Sequence, residues 1–259
     1  MWRLGVVGDP VSHSLSPLLH RAGLAMAGLT GTSERIAMRL GDVDRLVSVM
    51  GERFDALSVT MPLKSAAAEL CDQLDSLAAR TGMVNSLLER DGQLYGANTD
   101  GEGFVDALVH EFAASLDDSR VVVLGAGGAA RAIVDAVVRH GVAAVVVIAR
   151  TPSKVDWLST QYDNVFNETH RLDRVDFVVN TTPVESRGAP SAVLDGVSDS
   201  TIGVDITYEP RVSAWRTTYE SAGCRTTNGL GMLAHQAARQ MQWWWNVEID
   251  GAQLLEVIQ

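Results

Sequence analysis

The glycine-rich stretch from Gly125 to Ala130 is the part of the sequence whose spacing indicates a chemistry most directly. It reads Gly-Ala-Gly-Gly-Ala-Ala, which matches the G-x-G-x-x-A pattern of dinucleotide-binding turns. Glycines in such a turn let the main chain approach a pyrophosphate, and the N-terminus of the next helix attracts the phosphate charge. The glycines alone are weak evidence. Because a buried-strand pattern (residues 121–124) precedes them and a helical pattern (residues 129–140) follows, a dinucleotide site is favoured.

The residues after the next apolar strand indicate which dinucleotide would bind. That strand is predicted over residues 143–148, and an NAD-preferring enzyme usually has an acidic residue at its end to hold the ribose 2′-hydroxyl. This chain has Arg150, Thr151 and Lys154 there instead. Two cations and a hydroxyl suit a 2′-phosphate, so NADP is favoured. A basic, solvated loop between a strand and a helix is the alternative interpretation.

Two serines stand at the start of a predicted helix near residue 16. Ser16 is expected at the N-cap and Pro17 at the first helical position, with Gly28 ending the helix. Ser14 and Ser16 could therefore bind a carboxylate, because hydroxyls and free N–H groups meet at a helix N-terminus. Plain capping is the competing interpretation, and for Ser16 alone it is the more common one.

Lys64 and Asp100 each lie beside the start of a predicted helix. Pro62 must end the strand that begins near Asp55, and Lys64 follows just before helical residues 66–73. A lysine is electrostatically unfavourable at a helix N-terminus. Asp100 precedes the helical residues 102–114 and could simply cap them. Taken singly, Lys64 is explained as a solvated lysine and Asp100 as a cap.

Composition and charge limit the classes of protein that fit. The chain has 259 residues, enough for one large or two small domains, and 46% hydrophobic with 20% charged residues is typical of a soluble globular protein. The net charge of −11 argues against nucleic acid or an anionic membrane as a partner. No apolar run approaches the ~20 residues of a membrane span. A strand pattern begins at once at Leu4, so no signal peptide is expected.

The two cysteines and the tryptophan run receive ordinary interpretations. Cys71 and Cys224 lack metal or redox spacing, so they are expected to be reduced thiols of a cytoplasmic protein, and no metal site is predicted. Trp243, Trp244 and Trp245 lie in a predicted helix over residues 229–246. Consecutive residues spread over all helix faces and no basic face accompanies them, so packing is favoured over a membrane-interface belt.

Six motifs, in order, resemble those of the shikimate dehydrogenase family, and the resemblance covers nearly the whole chain. The motifs are H-S-x-S-P at residues 13–17, V-T-x-P-x-K at 59–64, V-N-[ST]-L at 84–87, N-T-D-G at 98–101, the glycine turn at 125–129 and G-L-G-M-L-x-x-Q at 229–236.

The resemblance implies an α/β fold: an N-terminal α/β substrate domain plus a Rossmann-type, doubly wound NADP-binding domain, with a cleft between them. The substrate-binding and catalytic domain would be discontinuous, residues 1–100 with 229–259, and the NADP domain would be residues 101–228. The implied reaction is the reversible NADPH-dependent reduction of 3-dehydroshikimate to shikimate, in the pathway to chorismate and the aromatic amino acids. The partner would be this small molecule, and the chain is expected to be a monomer or a homodimer.

The resemblance also implies roles for individual residues. Lys64 and Asp100 would be the catalytic pair. Ser14 and Ser16 would bind the substrate carboxylate. The other substrate contacts would come from Thr60, Lys64, Asn85, Asp100, Tyr208 and Gln236. The NADP contacts would come from Gly125, Ala126, Gly127, Gly128, Ala129, Arg150, Thr151, Lys154, Ile206 and Gly229.

Three residues depart from the family pattern. Ser58 and Ala97 stand where many members have Asn and Asp, and Ala149 replaces an Asn that often precedes Arg-Thr. The last change removes one expected ligand of the 2′-phosphate, which weakens the expected NADP selectivity.

Two alternatives stay open. A dehydrogenase that also accepts quinate and prefers NAD is disfavoured by Arg150. A non-catalytic relative that binds NADP or a shikimate-like ligand is disfavoured by the intact Lys64 and Asp100.

Overall fold

The computed structural model describes residues 1–167, 173–182 and 195–259. The chain forms two compact units, Met1–Ala107 with Met232–Gln259, and Leu108–Gly231. The predicted domain limits at residues 100 and 229 lie a few residues before these boundaries. In the described part of the chain, no helix is long and apolar enough to cross a membrane.

The first unit is built on a mixed sheet. Its strands, in spatial order, are β2 (Gly31–Ala37), β1 (Trp2–Gly8), β3 (Ala56–Val59), β5 (Ser86–Arg90), β6 (Gln93–Ala97) and β4 (Gln73–Leu74). β1 is parallel to β2 and β3, whereas β5 is antiparallel to both β3 and β6. The ends of β1, β3 and β6 therefore lie at the same edge of the sheet as the start of β5.

Helices of the first unit cover this sheet and close its core. They are α1 (Ser16–Met26), α2 (Arg45–Arg53), α3 (Lys64–Leu70), α4 (Ser76–Thr81), α9 (Leu230–Trp245) and α10 (Gly251–Ile258), together with the start of α5 (Asp100–Phe112). Phe54, Leu57 and Leu87 lie in the core with at most 1% of their surface exposed. The tryptophans of α9 pack as predicted: Trp244 is 1% exposed and Trp245 lies edge-on to Trp2.

A two-residue hairpin turn, Asp91-Gly92, connects β5 and β6. Asp91 and Gly92 both have positive φ, 55° and 76°. Two such residues in a row form the tight turn whose twist matches antiparallel strands, which is why Asp-Gly is typical there.

The second unit is a doubly wound α/β sheet. Its parallel strands, in spatial order, are β12 (Arg225–Asn228), β11 (Ile202–Asp205), β10 (Phe177–Asn180), β7 (Arg120–Leu124), β8 (Ala144–Ile148) and β9 (Val165–Phe166). Its helices are α6 (Gly128–Arg139), α7 (Pro152–Gln161) and α8 (Ala214–Ser221). Counted from β7, this is the 3-2-1-4-5-6 order of dinucleotide-binding folds, with the direction of winding reversing between β7 and β10. The predicted α/β class and Rossmann-type sheet are confirmed.

Candidate functional site

Four chain segments of the first unit meet at one edge of its sheet. The loop after β1 leads to Ser14 and Ser16, and the turn after β3 leads from Thr60 to Lys64. Asn85 immediately precedes β5, and Asp100 follows β6 by three residues. Since the sheet places these strand ends side by side, residues far apart in sequence converge there.

Lys64 and Asp100 form an ion pair at this edge, between Lys64 Nζ and Asp100 Oδ2. Only 17% of the lysine side chain and 6% of the aspartate side chain are exposed. Each is the first residue of its helix, α3 or α5. The pairing accounts for a lysine at an unfavourable helix N-terminus, and Lys64 is not the solvated lysine that its position alone suggests.

Asn85 connects the ion pair to its surroundings. Its Nδ2 donates to Asp100 Oδ1 at 2.8 Å, so both oxygens of that carboxylate have a partner. The same nitrogen lies 3.2 Å from Gln236 Oε1. Asn85 Oδ1 accepts from the main-chain N–H of Thr99 at 2.9 Å. The amide of Asn85 therefore has a fixed orientation, with its NH₂ group toward Asp100 and its oxygen toward Thr99.

Gln236 and Thr99 complete the cluster. Thr99 Oγ1 donates to the main-chain oxygen of Gln236 at 2.9 Å, and Gln236 Nε2 donates to Leu233 O within α9 at 2.8 Å. Gly103 allows this close approach of α5 and α9, since a Cβ there would lie 2.5 Å from the main chain of Gln236. The structure thus brings Lys64, Asn85, Asp100 and Gln236 together. Thr99 was named only as part of a motif, and no local pattern distinguished it.

Ser14 and Ser16 lie together at the start of α1, with Ser14 Oγ donating to Ser16 Oγ at 3.2 Å. The expected N-cap role of Ser16 is wrong by one residue: α1 begins at Ser16 itself, and Leu15 is the capping residue, without a side-chain cap. Because Ser16 is not used as a cap, its hydroxyl is bonded only to its neighbour among the described contacts. Thr60 is half-buried after β3 and packs its methyl group against Gly8, where a Cβ would lie 2.4 Å away.

The glycine turn lies between β7 and α6, at the point where the winding of the second sheet reverses. Gly125 has φ of +110°, and a Cβ there would lie 2.3 Å from Thr181 Oγ1. Only glycine fits this position without strain. By contrast, a Cβ on Gly127 would meet nothing within 4 Å, so the space beside this residue is open.

The geometry of this turn fits a dinucleotide. Gly127 caps α6 without a side-chain hydrogen bond, so no capping side chain takes up the first N–H groups of the helix, from Gly128 and Ala129. Such groups bind phosphate, helped by the helix dipole. Ala126 is 7% exposed and anchors the turn against the unit. The turn therefore has the glycines and the uncapped helix start that a phosphate-binding turn requires, and the phosphate contacts of its residues stay predictions.

Arg150, Thr151 and Lys154 are exposed and lie at the N-terminus of α7, directly after β8. Thr151 is the N-cap residue, again without a side-chain cap. An additional cation was missed from the sequence: Arg131 of α6 stacks over Trp157 of α7, with its guanidinium carbon 4.4 Å from the ring centroid. In the sequence, Arg131 is one residue of a helical pattern. Nothing there indicates its contact with Trp157, because Trp157 lies in a different helix.

Ile206 and Gly229 also lie together. A Cβ on Gly229 would lie 1.9 Å from the main-chain oxygen of Ile206, and Gly229 N donates to Thr207 O at 3.0 Å. Tyr208 is half-buried two residues after Ile206 in the second unit. Its expected substrate contact stays a prediction.

A buried carboxylate that the sequence analysis missed holds the segment before Tyr208. Asp205, 2% exposed, accepts from Thr207 N at 3.2 Å, Thr207 Oγ1 at 2.9 Å, Asn180 Nδ2 at 3.2 Å and Ser213 Oγ at 2.5 Å. Four donors compensate the burial of one charge. In the sequence, Asp205 stands in an apolar strand pattern, and its spacing from other polar residues did not indicate this role.

The arrangement in the first unit suits proton transfer to or from a bound polar molecule, since a lysine and a carboxylate share a mostly buried edge with an oriented amide. In the described ranges, no group of three or more His, Cys, Asp and Glu side chains is placed to hold a metal ion.

Comparison with known proteins agrees with this geometry. Residues 6–87 match the family model of the shikimate dehydrogenase substrate binding domain, and residues 107–207 match that of shikimate / quinate 5-dehydrogenase. A shikimate dehydrogenase (NADP(+)) of Exiguobacterium sp. is 35% identical, covering 98% of this chain and 97% of the relative. One from Roseobacter denitrificans is also 35% identical, covering 95% and 93%.

Solved structures give the same result. A shikimate 5-dehydrogenase from Thermus thermophilus, in complex with NADP(H) and shikimate, superposes with a TM-score of 0.90 at 31% identity, covering 99% of this chain and 98% of that one. With relatives above 30% identity that are matched over almost their whole length, the chain belongs to the shikimate dehydrogenase family.

Proposed function

We propose that this protein catalyses the reversible reduction of 3-dehydroshikimate to shikimate with NADPH. The observation that carries this proposal is the buried ion pair of Lys64 and Asp100, held by Asn85 beside Gln236. The family resemblance implies that these residues act together. Up to 172 positions separate them in sequence, and a shared functional site explains why they converge. An ion pair that only stabilised the fold would not need the side-chain amides of Asn85 and Gln236 beside it.

Lys64 is the proton donor in this mechanism. When bound, NADPH supplies the hydride that reduces the C3 carbonyl carbon. The ammonium of Lys64 gives a proton to the carbonyl oxygen, which becomes the hydroxyl of shikimate, and the lysine is left as a neutral amine. In the oxidising direction the neutral amine takes the proton back from the hydroxyl. Asp100 holds the lysine by the ion pair and orients it.

The remaining polar side chains of the first unit are proposed to bind the substrate. Ser14 and Ser16 receive its carboxylate, because their hydroxyls lie together at a helix start. Thr60, Asn85 and Gln236 receive its ring hydroxyls, together with Asp100. Tyr208 of the second unit is proposed as a further substrate contact, on the resemblance alone.

The second unit is proposed to bind NADP. Residues 125–129 would hold the pyrophosphate at the start of α6, and Ile206 and Gly229 would line the nicotinamide. Arg150, Thr151 and Lys154 would hold the 2′-phosphate, and Ala149 leaves the size of the NADP preference open. Accordingly, we propose the domain division 1–100 with 229–259 for substrate and 101–228 for NADP.

Replacing Arg150 by alanine tests the cofactor assignment. A guanidinium binds phosphate through two hydrogen bonds, and losing an exposed contact of this kind costs less than losing a buried one. Because Arg150 is exposed and Lys154 and Thr151 remain, we expect Arg150→Ala to raise the KM for NADP about tenfold. The KM for NAD and kcat should stay nearly unchanged.

Arg174→Ala is a matched control for that variant. Arg174 is also exposed and lies before β10, at the opposite edge of the same sheet from the glycine turn. The Arg174→Ala variant should leave the KM for NADP and the KM for NAD unchanged. An unaltered KM for NADP in Arg150→Ala would remove this arginine from the cofactor site.

An initial-rate assay tests the proposed function itself. Shikimate or quinate is combined with NADP or NAD, four pairs in all, and nicotinamide reduction is followed by absorbance. We expect the highest kcat/KM with shikimate and NADP. Equal values for NAD and NADP, with turnover of quinate, would support the quinate-accepting alternative. No turnover with any pair, despite measurable NADP binding, would support a non-catalytic relative.

The protein is proposed to act in the cytoplasm as a monomer or a homodimer. Cys71 and Cys224 are free thiols, and burial raises the pKa of Cys71 to about 12, which disfavours its reactive thiolate form. Sedimentation analysis of the purified protein decides between the two assemblies.

A further inference from the structure

A buried chain of hydrogen bonds in the first unit ends at Asn85. His20, with no exposed surface, has Nδ1 at 2.8 Å from Ser33 Oγ and Nε2 at 2.9 Å from Ser58 Oγ. Ser58 Oγ lies 2.7 Å from Gln240 Oε1, and Gln240 Nε2 lies 2.9 Å from the main-chain oxygen of Asn85. We call Ser33, His20, Ser58 and Gln240 the relay.

The bond from Gln240 to the main chain of Asn85 determines which atom donates and which accepts in every other hydrogen bond of the relay. A main-chain carbonyl only accepts, so Gln240 must present its NH₂ group to Asn85 and its oxygen to Ser58. Ser58 therefore donates its hydroxyl proton to Gln240. Having used that proton, Ser58 must accept from Nε2–H of His20, which leaves Nδ1 of His20 to accept from Ser33. Donors and acceptors match at every step.

His20 is held in the neutral form that this pattern needs. Burial lowers the pKa of His20 to about 3, and its ring lies edge-on to Trp244 with the centroids 5.3 Å apart. A neutral imidazole has one donor and one acceptor, which is what the two serines require. The relay therefore carries no charge and has one consistent arrangement near neutral pH.

The relay fixes the main chain of Asn85. The carbonyl oxygen of Asn85 also accepts from Val59 N at 2.7 Å, and Asn85 N donates to Ala97 O at 3.0 Å. The main chain is thus held by β3, by the end of β6 and, through Gln240, by α9. From this fixed point the side chain of Asn85 reaches Asp100 at 2.8 Å.

We propose that Ser58 and Gln240 are positioning residues of the reaction: by fixing the main chain of Asn85, they hold its amide on the carboxylate of Asp100. Neither residue was assigned a role in substrate or cofactor binding. This inference rests on the proposed function of the Lys64–Asp100 pair and adds the residues that keep the pair aligned.

Ser58→Ala tests the proposal, and Ser86→Ala is its matched control. Ser86 is buried on the neighbouring strand directly opposite Ser58, and its hydroxyl has no hydrogen-bond partner among the residues that the structure describes. Removing the Ser58 hydroxyl leaves His20 Nε2–H and Gln240 Oε1 unpaired, whereas removing that of Ser86 breaks no bond. For each variant, kcat and KM for shikimate, the pH profile of kcat and the melting temperature are measured.

We expect Ser58→Ala to lower kcat about tenfold, because a displacement of less than about 1 Å at a reacting group already slows turnover. The pH profile of kcat should change as well, because Asn85 is bonded to the carboxylate that orients the proton donor Lys64. Ser58→Thr, which keeps the hydroxyl, should restore both readouts. Ser86→Ala should match the wild type in both.

Two further outcomes are decisive. If Ser58→Ala has wild-type kcat and pH profile and only melts at a lower temperature, the relay is structural and the proposal is wrong. If Ser58→Ala does not fold, Gln240→Met, which keeps the side-chain length but removes both bonds, decides by the same readouts. Failure of the proposed function is recognised separately, since the wild-type protein would then not turn over shikimate at all.

Discussion

Replacing Lys64 by alanine is expected to reduce kcat for shikimate oxidation by about 10²–10⁴-fold, the usual contribution of a general acid or base. The first unit has no other lysine, because the sequence contains one further lysine, Lys154, which belongs to the second unit. Shikimate binding should stay within about tenfold of the wild type, since other polar side chains hold the ring. Initial rates and equilibrium binding measure the two quantities.

A second substitution separates proton transfer from charge at this position. Lys64→Arg keeps a cation that can pair with Asp100, but a guanidinium does not lose its proton at accessible pH. If the lysine transfers the proton, arginine should be nearly as inactive as alanine. If arginine restores turnover, only the positive charge is needed. Near wild-type kcat in Lys64→Ala would remove this residue from the mechanism altogether.

The second unit was predicted well because its strands are buried on both faces. Runs such as residues 121–124 and 144–148 are almost entirely apolar, and the glycines at 125 and 127 mark the turn between strand and helix. The apolar runs and the glycines were therefore enough to predict the strand–turn–helix unit. The strands β9 and β12 were not predicted, because β9 has only two residues and β12 is polar without an alternating pattern.

The first unit was predicted less completely for a physical reason. β2, which reads Gly-Thr-Ser-Glu-Arg-Ile-Ala, is an edge strand with an exposed side, so no apolar pattern marks it. The ion pair of Lys64 and Asp100 was expected only by resemblance. The bond from Ser58 to Gln240 joins residues 182 positions apart, and no local periodicity reports such a contact.

Replacing Asp100 by asparagine is expected to reduce both turnover and binding. The amide of asparagine can still accept from Asn85 with its oxygen, but it then turns its NH₂ group toward the ammonium of Lys64. The NH₂ group of the new asparagine and the ammonium of Lys64 are both donors, so they cannot bond to each other. Lys64, whose side chain is only 17% exposed, therefore loses its anionic partner. Removing one partner of a mostly buried pair is costly because the other charge stays behind. We expect kcat to fall at least about 10²-fold.

The shikimate KM should rise in the same variant, because Asp100 is proposed to contact a ring hydroxyl as well as Lys64. Asp106→Asn is the matched control: Asp106 lies in the same helix, and its carboxylate pairs with Arg239 at 2.8 Å rather than with Lys64. Its side chain is 33% exposed, so losing that pair should change kcat and KM little. If Asp100→Asn retained wild-type kcat and KM, Asp100 would be no more than the first residue of α5. If kcat fell while KM stayed constant, Asp100 would act on Lys64 without touching the substrate.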